Sequence, residues 1–237
     1  MGSQQRRSDL ATALKGVRQG IADAAQDAGR DPESVTLVAV TKTWPATDIR
    51  LLWELGVRHF GESRHPEAEQ KANELADLDG LVWHFVGQIQ TNKAARIAGY
   101  ADVVHSVDSV RLARRLGLGA HRSGRTVRCL VQVSLDPPQQ TAGRGGVGEE
   151  SVEEVAGAIE AGDALLLGGL MGVPPQEIDP LASYRRLESM CRRLVRRYPR
   201  ATVMSAGMSA DYHAAIAAGA THVRVGSAVL GRRPPLG

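Results

Sequence analysis

Eight short runs rich in Val and Leu punctuate this chain, and between them lie segments whose apolar residues recur at helical spacing. The runs cover residues 36–41, 59–62, 82–86, 102–106, 127–134, 165–171, 202–205 and 221–225. Most are apolar on both faces, as a strand reads when helices cover one side and a closed core fills the other. Helical patterns occupy roughly 46–55, 65–76, 91–98, 109–116, 149–161, 180–197 and 210–218, with Asp108 and Ser209 standing at N-cap positions. Such alternation argues for parallel β-α-β units. The repeat is roughly 24 residues, which suits a (β/α)8 barrel of the TIM type. An open doubly wound sheet is the competitor, weakened because no Gly-x-Gly-x-x-Gly follows the first strand. In a barrel, an extra N-terminal helix over 7–28 would cover the gap left by a short last helix. The expectation is an α/β barrel forming a single domain over residues 1–237.

Composition narrows the class. A 43% hydrophobic and 23% charged chain is ordinary for a globular protein, and 4% aromatic content calls for an aliphatic core. A net charge of +3 suits small anions without demanding a nucleic-acid partner. Cys129 and Cys191 stand far apart and form no metal or redox motif. The opening residues lack the apolar core of a signal peptide, and no apolar stretch is long enough to span a bilayer. The reading is a soluble cytoplasmic protein, a monomer, with no membrane or nucleic-acid partner.

Candidate chemistry gathers at strand ends. Val38, Val40 and Lys42 share one face of the first strand, which points the Lys42 amine at the mouth of the core. Partial desolvation there lowers an amine's pKa and frees it for carbonyl chemistry, although a lysine can also merely cap a strand. Gly207-Met208-Ser209 follows the seventh strand and Gly226-Ser227 the eighth, where barrels frequently bind phosphate through backbone N–H groups. Arg224 interrupts the last strand, facing either a ligand or an internal carboxylate such as Glu62. The seven histidines show no metal-ligand spacing. An arginine-rich helix carrying Arg185-Arg186, Arg192-Arg193 and Arg196-Arg197 reads as a solvated face, with nucleic-acid or acidic-partner binding as the alternative.

Longer motifs add specificity. Leu37-Val38-Ala39-Val40-Thr41-Lys42-Thr43, Phe60-Gly61-Glu62, Trp83-His84-Phe85-Val86-Gly87-Gln88-Ile89-Gln90-Thr91-Asn92-Lys93, Gly169-Leu170-Met171, Gly207-Met208-Ser209 and Val223-Arg224-Val225-Gly226 occur in that order. With these motifs the chain resembles the pyridoxal phosphate homeostasis protein family over nearly its whole length. The resemblance implies a barrel like the N-terminal domain of alanine racemase, with pyridoxal 5′-phosphate (PLP) as cofactor. It implies a Schiff base on Lys42, Arg224 at the pyridine nitrogen, and Gly207, Met208, Ser209, Gly226 and Ser227 around the phosphate. Three positions depart from the family's pattern: Ser63 replaces an asparagine beside the cofactor, Arg144-Gly145-Gly146 replaces Lys-Ser-Gly, and Ala206 replaces a methionine.

The implied function is intracellular PLP homeostasis, by buffering the cofactor or delivering it to PLP-dependent apo-enzymes, with no catalytic residue and no metal. A PLP-dependent enzyme such as an amino-acid racemase is the alternative. Against it, the ten residues after Ser227 leave no room for the C-terminal domain that gives racemases a tyrosine base.

Overall fold

A computed structural model describes residues 2–137, 145–175 and 178–231. Its strands are β1 (Thr36–Val40), β2 (His59–Glu62), β3 (Val82–Phe85), β4 (Val103–Val107), β5 (Val127–Ser134), β6 (Leu165–Val173), β7 (Val203–Ser205) and β8 (His222–Val225). They pair in sequence order, all parallel, and β8 returns to β1, closing the barrel. The helices are α1 (Gly2–Asp27), α2 (Ala46–Glu54), α3 (His65–Glu74), α4 (Ala94–Ile97), α5 (Val110–Arg122), α6 (Val152–Glu160), α7 (Pro180–Arg197), α8 (Tyr212–Ala217) and α9 (Ser227–Leu230). The barrel expectation holds and the open sheet is excluded.

Two-residue periodicity divides the side chains into two layers. Ala39, Phe60, Phe85, Val104, Val131, Leu170 and Val223 point outward into the main core, against helical residues such as Ile49, Leu52, Leu112, Ile159 and Leu187. Inside the barrel Val103, Leu130, Met171 and Val203 form a smaller cluster. Other inward positions are polar, among them His84, His105, Ser205 and Arg224, all buried.

Helix α1 does what the short last helix requires. It buries Leu10, Leu14, Val17 and Ile21. Its Arg6 donates to Asp48 Oδ2 at 2.7 Å and to the Leu230 carbonyl at 3.1 Å, fastening α1 to α2 and α9.

The structure corrects several local expectations. The N-cap of α5 is Ser109, whose Oγ accepts from Leu112 N–H at 3.2 Å, and not Asp108. Ser209 is not the N-cap of α8, which begins after Asp211. Helix α5 runs past Gly117 and Gly119 because Gly119 is where it meets α4; a Cβ there would overlap the Ala95 backbone. The helices expected over 91–98 and 149–161 each open with one 3-10 turn, Thr91–Lys93 and Glu149–Ser151. Strand β6 extends to Val173 through Gly169, whose φ of 145° and contact with the Val203 carbonyl leave no space for a side chain.

Because Leu14 is 2% exposed beneath α1, Leu14→Ala should cost about 2–5 kcal/mol through lost burial and a cavity. Urea unfolding measures it, and a loss below about 1 kcal/mol would show that α1 contributes little to the core.

Candidate functional site

Lys42 stands two residues beyond β1, on the inward parity of Val38 and Val40, and is half-buried. The next residue, Thr43, has φ 70°, a conformation costly for a β-branched side chain. A buried ionic cluster holds this turn from outside. Lys71 of α3 donates to the Thr41 carbonyl at 2.9 Å, to Glu62 Oε1 at 2.8 Å and to Glu67 Oε1 at 2.6 Å. Thr41 Oγ1 also donates to Glu62 Oε1 at 2.7 Å, and Glu67 accepts from the Thr43 N–H. Both neighbours of Lys42 are therefore tied to α3. Burial pushes the Glu62 carboxyl upward, while Lys71 and Thr41 draw it back.

Across the β1–β8 seam, Arg224 lies in register with Val38. Its guanidinium is buried, donating to Ser205 Oγ at 2.6 Å and to the Gly172 carbonyl at 3.1 Å. Burial pulls its pKa below the ordinary arginine value; Tyr184 and Asp211 act in the opposite sense. The internal ion pair with Glu62 does not form. Glu62 has the outward parity of Phe60 and pairs with Lys71.

The loops after β7 and β8 are bound to each other. Ser209 Oγ accepts from the Gly226 and Ala228 N–H groups, both at 3.3 Å. Asp211 accepts from Met208 N–H at 2.6 Å and from the Tyr184 hydroxyl at 2.9 Å, anchoring the β7 loop to α7. Gly207 has φ 87° and packs so closely on Tyr212 that a Cβ would lie 2.8 Å from its Cα.

These elements surround a cavity of about 420 Å³ lined by Lys42, Arg224, Met208, Ser209, Gly226 and Ser227, with Val40, Trp44, Val86, Met171, Val173, Ala210 and Gly231 completing its wall. The structure thus brings together six of the eight residues singled out in the sequence. Gly207 shapes the β7 loop from behind, and its carbonyl accepts from Arg224 N–H at 2.9 Å. Ser63 lies in the loop after β2, packed on Gly87, outside this lining. Arg144 falls outside the described residues. Trp44 and the apolar wall were not singled out beforehand, since hydrophobic residues at a strand end carry no mark of their own. The Lys71–Glu67 clamp is likewise new; its i, i+4 spacing on α3 was its one visible sign.

The alanine racemase N-terminal domain model matches residues 17–234. Fold and site together define a racemase-type barrel with an inward lysine opposite a buried arginine. Relatives named pyridoxal phosphate homeostasis protein include one from Mycobacterium bovis, 41% identical over 96% of this chain and 94% of the relative. Another, from Escherichia coli K12, is 36% identical over 95% of this chain and 97% of the relative. PipY of Synechococcus elongatus, solved with PLP bound, superposes with a TM-score of 0.79 at 32% identity, over 94% of this chain and all of PipY (100%). The chain belongs to the pyridoxal phosphate homeostasis protein family, as its motifs indicated.

Replacing Lys71 by Met strands Glu62 as an uncompensated buried carboxylate, and should cost about 3–5 kcal/mol in denaturant unfolding. Pairing Lys71→Met with Glu62→Leu should recover much of that loss; simple addition of the two single losses would show that they do not act as a unit.

Proposed function

We propose that this chain holds PLP reversibly through Lys42 and serves intracellular PLP homeostasis, buffering the cofactor or passing it to apo-enzymes without turnover of its own. The observation that carries this reading is the cavity's inventory: one primary amine, one buried guanidinium, and amide donors converging between two loops. The residues fit the cofactor. A volume near 420 Å³ suits a small-molecule site. The Gly226 and Ala228 N–H groups already aim at a single oxygen, and a Cβ on Gly226 would approach the Val40 carbonyl to 3.3 Å.

When bound, PLP supplies an aldehyde that a primary amine captures with loss of water, and a phosphate dianion. Lys42 offers the amine from a fixed turn. The β7 and β8 loops offer the hydroxyls of Ser209 and Ser227 and backbone donors for an anion. Arg224 is a donor without an acceptor site, so a ring nitrogen facing it stays unprotonated and the ring is a poor electron sink.

The same inventory favours binding over racemisation. Among the described residues that line the cavity there is no Tyr, His, Cys, Asp or Glu, the side-chain types that serve as acid or base at a substrate carbon. Tyr184 is buried against Asp211, away from the lining. A solvated role for the arginine face of α7 is supported by its ion pairs: Arg186 and Arg193 with Glu149, and Arg192 with Glu188. Among the described residues, no helix is long and apolar enough to cross a membrane. The unpaired thiols of Cys129 and Cys191 fit a reducing, cytoplasmic setting, and we take the working unit to be a monomer.

Borohydride reduction of the PLP-loaded protein should fix the cofactor on Lys42, and Lys42→Ala should abolish the adduct; mass spectrometry placing it on another lysine overturns the assignment. Pyridoxal should bind at least about tenfold more weakly than PLP, because charge-assisted hydrogen bonds to the phosphate are lost. Equal affinities would remove the phosphate cradle from the proposal. Long incubation with L-alanine, read by chiral chromatography, should yield almost no D-alanine. Steady racemisation dependent on Lys42 would establish the enzyme alternative.

A further inference from the structure

Three strands in succession, β2, β3 and β4, place a histidine inside the barrel: His59, His84 and His105. They do not converge on a point, as metal ligands would; they stand in line. His59 Nδ1 lies 2.9 Å from His84 Nε2, His84 Nδ1 lies 2.8 Å from His105 Nε2, and His105 Nδ1 lies 2.9 Å from Ser205 Oγ across the barrel on β7. Ser205 Oγ in turn accepts from Arg224 at 2.6 Å. His84, His105, Ser205 and Arg224 are buried. His59, half-buried, ends the line in a cavity of about 610 Å³ at the opposite mouth of the barrel.

The protons in this line have one satisfactory arrangement. Arginine only donates, so Ser205 Oγ must accept from it. Among the described residues, the one other polar contact of Ser205 Oγ is His105 Nδ1, which must therefore receive the hydroxyl proton. That makes His105 the Nε2–H tautomer, donating to His84 Nδ1. His84 is then also Nε2–H and donates to His59 Nδ1. The reverse order would leave the Ser205 hydroxyl hydrogen desolvated and without an acceptor, an expensive state in a dry interior. Burial keeps the line neutral: it holds His84 and His105 well below the usual imidazole range and lowers His59, with Asp102 opposing the shift at His59. The neighbouring His222 is pushed by burial to about 4.

We propose that His59, His84, His105 and Ser205 form a one-way hydrogen-bond column that orients Arg224 toward the cofactor cavity. Ser205 and His105 are positioning residues: they touch the arginine or its acceptor and do not themselves line the cavity. The column fixes which oxygen lone pair Arg224 meets, and with the Gly172 carbonyl it sets the plane of the guanidinium. The consequence for cofactor binding rests on the function proposed above; the proton arrangement does not.

Nitrogen-15 NMR of histidine-labelled protein, without added PLP, reads the column directly. His59, His84 and His105 should each show a protonated Nε2 and a bare Nδ1 at neutral pH. An Nδ1–H tautomer or an imidazolium at His84 or His105 overturns the proposal. A second arm uses PLP and folded variants, checked by circular dichroism. Ser205→Ala and His105→Leu should weaken PLP binding about tenfold, through the lost charge-assisted bond or its orientation, and shift the visible absorption band. His105→Asn, whose amide oxygen can replace Nδ1 as acceptor, should stay within about threefold of the parent. Borohydride should still label Lys42 in every variant. If Asn behaves like Leu, the positioning role is wrong. If the parent protein binds no PLP, the functional reading fails while the NMR arm still decides the column.

Discussion

The pairing of β8 with β1 is the constraint on which the site depends. It sets Val38 beside Arg224 and Ala39 beside Val225, so residues far apart in sequence become lateral neighbours. Without that seam, Lys42 would close one end of an open sheet and the Gly226–Ser227 loop the other. With it, the lysine, the arginine and both small-residue loops share one rim around a single cavity. The seam is reinforced from outside by Arg6, which bridges α2 and α9 on either side of it.

Around this rim the protein uses strand parity to separate two kinds of buried polarity. Outward from β2, Glu62 meets Lys71 under α3, and this charged cluster grips the backbone on both sides of Lys42. Inward, neutral imidazoles and a hydroxyl lead to Arg224. Each solution matches its surroundings. The ion pair lies beneath a helix that supplies its counter-charge, whereas inside the barrel a line of imidazoles and a hydroxyl meets one buried guanidinium. An apolar side chain in place of Ser205 would leave the guanidinium without its hydroxyl acceptor.

Much of this was readable from residue order. The eight strands appear because Val- and Leu-rich runs survive as local signals, and the inward direction of Lys42 follows from counting by twos from Val38. The same count applied to Glu62 from Phe60 would have sent it outward and ruled out its pairing with Arg224. Less legible were features made by tertiary contact. Ser209 sits near a helix start in sequence, yet α8 begins only after Asp211, and the closed barrel brings the Ser209 hydroxyl to the Gly226 and Ala228 amides beyond β8. Gly117 and Gly119 look like a helix stop, but Gly119 marks a helix crossing that no local pattern reveals. The histidine column was missed because its members belong to different strands. Its signal was an inward histidine on each of three consecutive strands, invisible until the strands are aligned in register.

The contact between α1 and α9 has a further consequence. Since Arg6 reaches the Leu230 carbonyl, the first and last helices lie side by side, and the ring of strands has no privileged place to begin. A circularly permuted chain, opened in an exposed loop on the face opposite Lys42 and joined by a short linker near α1 and α9, would preserve the same ring of neighbours. In such a chain β8 would lead through α9, the linker and α1 into β1, so the two strands of the seam would be joined by continuous chain as well as by hydrogen bonds.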